Sequence, residues 1–326
     1  MSPKRSGTGK YYLMTLAAVV FWSFTGPLIK LISVRYPVPP FQLAAWRDLL
    51  TGIIVLAALL LFKPSLLKIA RKQVPFILAY SLLLSIFNIS WTFSVYLNGA
   101  AVSTVLIYSS APFTVILGYL VLRESVNWAK IVASILSLIG CVFVSGAHSA
   151  ETWQGNPLGI IIGISSGLLF AIYALFGRSA AHRGISSWGA TALTFTLGSI
   201  PLFILNQTVL SVFGFTTGNG SLLPSMDLVG WLIMLLLVIG PTIGGFGLYN
   251  LALQHLPGSI VNLIVPIGPL FATVESYLIL GERLTPIQLL GGVFIIGGLI
   301  ILRLYESRRE KLESAKHDAI AENPTP

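Results

Sequence analysis

The chain has 326 residues, 55% hydrophobic and only 10% charged, with a net charge of +9 and a mean hydropathy of +0.86. A soluble domain carries about 25% charged residues, so the composition excludes a soluble globular protein and makes this an integral membrane protein. The positive excess does not indicate nucleic acid, because the basic residues sit at the ends of apolar runs, where they set topology and meet anionic lipid headgroups.

Met1–Lys10 is polar and basic and reads as a cytoplasmic tail. The run that follows, Tyr11–Ile32, is too long for a signal-peptide core and lacks a small-residue cleavage site, so it is expected to remain as a first span. Further apolar runs are Pro40–Phe62, Val74–Tyr96, Val102–Leu122, Trp128–Ser145, Pro157–Gly177, Ser186–Leu205, Leu228–Leu251, Ser259–Leu280 and Pro286–Leu304. At ~1.5 Å per residue such runs match a hydrocarbon core of about 30 Å. Only helices and closed barrels satisfy their backbone in lipid, and barrel strands would alternate over about ten residues. The expected fold class is an all-α integral membrane protein with ten transmembrane helices.

Lysine and arginine orient the spans. With the N-terminus inside, the inner segments hold Lys4, Arg5, Lys10, Lys63, Lys68, Arg71, Lys72, Arg123, Lys130, Arg178, Arg183, Arg303, Arg308, Arg309, Lys311 and Lys316. The outer segments hold Lys30, Arg35 and Arg283. This asymmetry puts both termini in the cytoplasm.

The last two runs are joined by a polar hinge, Gly281–Thr285. Gly281 is placed to end one helix in a left-handed conformation, and Thr285, Pro286 and Gln288 to cap and start the next. Val102–Leu122 and Trp128–Ser145 repeat this construction around Arg123-Glu124-Ser125, with Asn127 as the cap. Setting Glu124 on Glu282 aligns Leu120-Val121-Leu122 with Leu278-Ile279-Leu280 and Ile139-Gly140 with Gly297-Gly298. One extra residue before Glu282 brings Pro112 onto Pro269. The chain therefore reads as a duplication: a tail over 1–10, a first repeat over 11–146, a second over 156–304, and a cytoplasmic tail over 305–326 that starts as a short helix and ends disordered. Five spans per repeat is an odd number, so the second repeat enters from the opposite face. The expectation is two inverted five-helix repeats with a solute site near the midplane between them. Asn206–Asp227 is expected as the longest outer loop, and Asn206-Gln207-Thr208 matches a glycosylation acceptor of a kind frequent by chance.

A charge inside a span is costly and marks function by default. Arg47 and Asp48 in the second span and Glu275 in the ninth are such residues. Arg47 and Glu275 lie at similar depth, about 10 Å below the outer surface, and are expected to face one cavity, where they could pair. Asp48, turned ~100° from Arg47 on the helix, is expected to contact another helix. Asp48 and Glu275 are the coupling candidates. The substrate-binding candidates are Trp22, Arg47, Asn88, Tyr108, Tyr173, Tyr249, Asn250, Asn262 and Tyr277. Asn262, Pro266, Pro269, Thr273 and Tyr277 share one face of the ninth span, which is the favoured solute path; interhelical packing by Asn and Tyr is the alternative. Gly155, Gly159, Gly163 and Gly167, and Gly291 with Gly298, read as close-packing seams. Cys141 reads as a small core residue.

Phe21-Trp22-Ser23-Phe24-Thr25 with Lys30, then Arg47, Tyr249-Asn250-Leu251-Ala252-Leu253, Pro257-Gly258-Ser259, Pro266, Pro269 and Leu280-Gly281-Glu282-Arg283-Leu284 resemble bacterial drug/metabolite transporters of the EamA type. Phe170-Ala171-Ile172-Tyr173 with Arg178 echoes the first span in the second half. The resemblance covers Tyr11–Leu304 and implies ten helices in two EamA repeats that move a small metabolite across the inner membrane. The first hinge departs from the family's Gly-Glu-Arg. No zinc-binding His-Glu-x-x-His, phosphate-binding glycine loop or nucleophile elbow is present, which argues against an enzyme, and no cofactor, metal or nucleic acid is expected. The function expected is a secondary transporter, an exporter of an amino-acid-like or amphipathic solute with protons as a candidate coupling ion. A channel-like facilitator or membrane scaffold is the alternative. Monomer and homodimer both remain open.

Overall fold

The computed structural model describes residues 8–122, 126–146, 149, 151, 156–213, 222–253, 264 and 267–322. Among them every long element is a helix. In chain order these are α1 (Thr8–Ser23), α2 (Thr25–Arg35), α3 (Pro40–Phe62), α4 (Val74–Asn98), α5 (Ala100–Leu106), α6 (Ser110–Leu122), α7 (Trp128–Ser145), α8 (Pro157–His182), α9 (Ser187–Phe213), α10 (Leu228–Leu237), α11 (Gly245–Leu253), α12 (Gly268–Leu280) and α13 (Pro286–Glu322). Among the described residues, seven stretches are long and apolar enough to cross a membrane: Lys10–Arg35, Pro40–Phe62, Arg71–Asn98, Ala100–Val121, Pro157–His182, Ser187–Thr208 and Leu228–Tyr249. Trp128–Val144, Gly268–Leu280 and Pro286–Leu302 are shorter apolar helices. The chain is a multi-pass membrane protein.

Helix starts are written in local chemistry. Asn127 Oδ1 accepts from Lys130 N at 3.0 Å, Asn156 Oδ1 from Gly159 N at 3.0 Å, and Asp227 Oδ1 from Gly230 N at 2.8 Å. Each satisfies one of the orphan amides of a first turn. Thr285 and Gln288 form the expected reciprocal box: Gln288 N donates to Thr285 Oγ1 at 3.3 Å and Thr285 N to Gln288 Oε1 at 2.9 Å. Gly281 ends α12 at φ +70°, as the hinge residue should.

Five sequence expectations change. The first span breaks at Phe24 into α1 and α2. The fourth is interrupted by a 3-10 turn at Ile107–Ser109, and the eighth by a wide π turn at Val238–Gly244. Pro241 inside that turn has no amide to give to the Leu237 carbonyl, and the Thr242 hydroxyl supplies a bond there instead, at 3.1 Å. Finally, α9 runs on to Phe213, so Asn206-Gln207-Thr208 is helical. Asn206 is buried, which removes it as a glycosylation acceptor, and α13 continues to Glu322 as one helix.

The helix pairings obey one rule of exchange. Helix α3 packs on α9, and α7 on α13. Helix α4 packs on α8 as α11 packs on α1, and α6 packs on α8 as α12 packs on α1. Swapping each span with the span five places later therefore maps these contacts onto one another, with the second and seventh and the fifth and tenth pairing with their own mates. This is the two-repeat, inverted fold. The glycine seams explain the closest approaches. A Cβ on Gly291 would lie 2.7 Å from Gly140 O, and one on Gly298 would lie 3.0 Å from Ala133 O, so α13 seats on α7 of the other half. Gly159, Gly163 and Gly167 of α8 meet Asn98, Leu106 and Ser109. Gly155 lies outside the described residues.

The interior is unusually rich in hydroxyls, among them Thr51, Ser81, Ser85, Thr92 and Thr194, most of which bond a carbonyl one turn back on their own helix. Large aliphatics such as Leu61, Leu120, Leu278 and Val293 face outward, as lipid contact requires. Beyond the apolar helices, Tyr36 Oη donates to Asp227 Oδ1 at 2.6 Å and ties the end of α2 to the start of α10. Glu282 ties the halves at the same end, its carboxylate accepting from Ala100 N and Ala101 N at 3.0–3.1 Å. That places a negative group at the first turn of α5, where exposed amides favour it.

Candidate functional site

The buried charges of the second span form a closed set. Asp48 Oδ1 accepts from Arg47 Nε at 3.2 Å and Nη2 at 3.1 Å, and Asn88 Nδ2 of α4 reaches both carboxylate oxygens at 2.9 and 2.8 Å. Arg47 and Asp48 are both buried, so their opposite charges cancel inside the bundle and the amide of Asn88 completes the carboxylate's shell. The expected contact of Asp48 with another helix is this one. The pairing of Arg47 with Glu275 is not what the structure holds: Arg47 turns to its own neighbour, one residue along.

Glu275 stands elsewhere, on the face of α12 formed by Gly268, Pro269, Ala272, Glu275 and Ser276, all buried. Small residues at three- and four-residue spacing let α12 approach α1, α2 and α5 closely. Leu270, Val274 and Leu278 point outward. This inner face is rotated from the one expected. Tyr277 is 49% exposed near the C-terminal end of α12, under the guanidinium of Arg283 at 5.3 Å, and Thr273 bonds back to Pro269 O. Asn262 and Pro266 lie outside the described residues, as does the Asn250 side chain.

Glu275 Oε1 lies 2.8 Å from Ser23 Oγ at the break between α1 and α2. Among the described residues its Oε2 is buried without a hydrogen-bond partner, and so is Trp22 Nε1, one residue from Ser23. Around Trp22, Phe246 and Tyr249 of α11 pack at ring-centroid distances of 5.2 and 5.0 Å. The indole lies against Gly245, where a Cβ would fall 2.7 Å from Nε1. The π turn thus delivers a glycine at the point where the indole needs room. Tyr108, in the 3-10 turn, places its hydroxyl against Gly268 of α12.

The exchanged position holds a matching aromatic seam. Tyr173 of α8 packs with Tyr80 and Phe87 of α4 at 5.1 and 6.0 Å, and Phe170 packs with Phe87 at 5.5 Å. Trp22, Tyr249 and Tyr173, singled out in the sequence, therefore occupy two equivalent seams between the halves. The residues missed are Ser23, Tyr80, Phe87, Gly245 and Phe246. The FWSFT run carried Ser23, but only the fold shows what faces it. The seams match; the acid does not. The repeat offset brings Leu117 or Gly118 of the first half onto Glu275.

A profile of the EamA-like transporter family matches residues 9–146 and 157–304. The chain belongs to the EamA-like transporter family. It is 26% identical over 328 residues to an uncharacterized transporter of Clostridium kluyveri, covering 96% of this chain and 99% of that one. It is 24% identical to a probable amino-acid metabolite efflux pump of Escherichia coli strain K12, covering 89% and 93% of the two chains. A solved crystal structure shares the fold with a TM-score of 0.61 at 18% identity, over 92% of this chain and 99% of that one. This EamA-like protein is thus a transporter and not an enzyme. Trp22 and Tyr249, from two of the runs that carry the resemblance in sequence, meet at the junction of α1 and α11.

Proposed function

We propose that the protein is a secondary transporter that exports a small amphipathic, amino-acid-like metabolite across the cytoplasmic membrane, with both chain ends in the cytoplasm. The units 11–146 and 156–304 move against each other by alternating access, and Glu275 is the coupling group. The observation that carries this reading is Glu275: a buried acid with no cation within ion-pair distance among the described residues, set where the first span of one half meets the ninth span of the other. An ionisable side chain in a membrane interior is costly and is retained there for work. Trp22, Tyr249 and Tyr108 line the solute path beside it, and Tyr173 lines its counterpart. Asn250, Asn262 and Tyr277 complete the candidate set. Arg47, Asp48 and Asn88 form its neutral polar wall. The name of the Escherichia coli relative supports the solute class, and the inner bias of Lys and Arg supports the orientation.

The test is counterflow of labelled amino acids in proteoliposomes. Wild-type protein is expected to accumulate label against a preloaded solute and to respond to an imposed pH gradient. Glu275→Gln should lose the response to the gradient, with uptake reduced at least ten-fold. Unchanged gradient-driven transport in that variant refutes the assignment of Glu275.

A further inference from the structure

A serine hydroxyl has one proton to give. Ser23 Oγ lies 2.7 Å from Val20 O and 2.8 Å from Glu275 Oε1. A carbonyl and a carboxylate are both acceptors. With Glu275 ionised, one of these two short contacts would hold two oxygens and no hydrogen between them. With the carboxyl protonated, both are complete: Glu275 donates to Ser23 Oγ, and Ser23 donates to Val20 O.

The surroundings agree with the proton count. The elements packed on α12 are α1, α2 and α5. On α1 the titratable groups are Lys10, Tyr11 and Tyr12, and Lys10 is about 20 Å along the helix from Ser23. On α2 they are Lys30 and Arg35; Lys30 Nζ donates to Tyr96 O at 2.9 Å and lies over that ring, and Arg35 is in the last turn. None is on α5, and Tyr108 adjoins it. Among the described residues no cation lies within 4.0 Å of Glu275 and no donor reaches Oε2. A bare carboxylate is a poor occupant of such a place, and a neutral acid a good one.

We infer that Glu275 is a proton-binding site, occupied in this conformation, with Ser23 as its reporting partner. When the proton leaves, the single hydrogen of Ser23 turns from Val20 O to the carboxylate. Val20 is among the last four carbonyls of α1, which the helix does not satisfy by itself. Loss of the proton therefore withdraws a bond from the end of α1 at Phe24, where the span is already interrupted. The proton, the Ser23 rotor and the break are one device. This rests on the reading of Glu275 as the coupling group and adds which state is seen and what its titration moves.

The test is infrared difference spectroscopy of the purified full-length protein in lipid at neutral pH, following the carbonyl stretch of un-ionised carboxyl groups. A band is expected that disappears in Glu275→Gln, persists in Asp48→Asn, and moves to higher frequency in Ser23→Ala as its hydrogen bond is lost. Ser23→Ala keeps the acid in place, so the shift decides the matter even where Glu275→Gln fails to fold. Absence of any such band at neutral pH overturns the inference, as does a band that survives Glu275→Gln or ignores Ser23→Ala. The readout needs no solute, so a protein that shows the band and fails at counterflow refutes the transport reading alone.

Discussion

The second span shows how a charge is retained inside a bundle. Asp48 and Arg47 neutralise each other, and Asn88 fills the positions the guanidinium leaves open. Removing one partner of a buried pair leaves the other uncompensated, which costs about 3–5 kcal/mol. Asp48→Asn is therefore expected to lower the thermal midpoint in detergent sharply. Arg47→Met with Asp48→Leu should recover much of the loss, since both charges are then gone. A double-mutant cycle on thermal unfolding measures this. Additive losses would show that the two side chains do not act as a pair. The sequence exposed both charges because hydropathy makes them conspicuous. It could not show their partner, because neighbours on a helix point ~100° apart and only long, flexible Arg47 can fold back over Asp48.

Among the elements, what the sequence disclosed best were the local events. The caps at Asn127 and Thr285 and the turn at Gly281 depend on residues within one turn of each other, and all three appear as read. The interruptions at Phe24, Ile107–Ser109 and Val238–Gly244 were not legible, because a broken span has the same hydropathy as a whole one. The face of α12 was misjudged for a related reason. Proline and tyrosine suggested a polar lining, but packing chose the small residues Gly268, Ala272 and Ser276, and pushed Tyr277 to the rim. Glycine seams, by contrast, were correctly read as seams, and the structure adds their partner. Gly291→Leu would drive a side chain into Gly140 and Phe143. Overpacking of this sort costs about 1–3 kcal/mol. The variant should unfold at lower temperature, whereas Gly292→Leu, with nothing within 4 Å of its Cβ, should not. Equal midpoints for the two would remove the α7–α13 seam as a packing constraint.

At the scale of the whole molecule, duplication was visible in the repeated hinge, and the exchange of helix pairs gives it spatial form. The halves are also clasped by hydrogen bonds between the end of α2 and the start of α10 and at the first turn of α5. The Tyr36 hydroxyl, with the Gly230 amide behind it, holds the Asp227 carboxyl below the usual carboxylate range. An acid whose folded value is depressed stabilises the fold above its unfolded value and loses that contribution as pH falls through the folded one. The midpoint gap between wild type and Asp227→Asn should therefore be full at pH 7, hold to about pH 5, and close below about pH 4. A gap that widens on acidification would reverse the assignment.

The two aromatic seams are twins, but the acid beside one of them has only Leu117 or Gly118 as its sibling. A carrier assembled from equal copies would run alike in either sense. On the proposed coupling role of Glu275, a carboxyl carried by a single copy would make the inward-open and outward-open forms inequivalent, and acidity on the two sides of the bilayer would bias the cycle unequally.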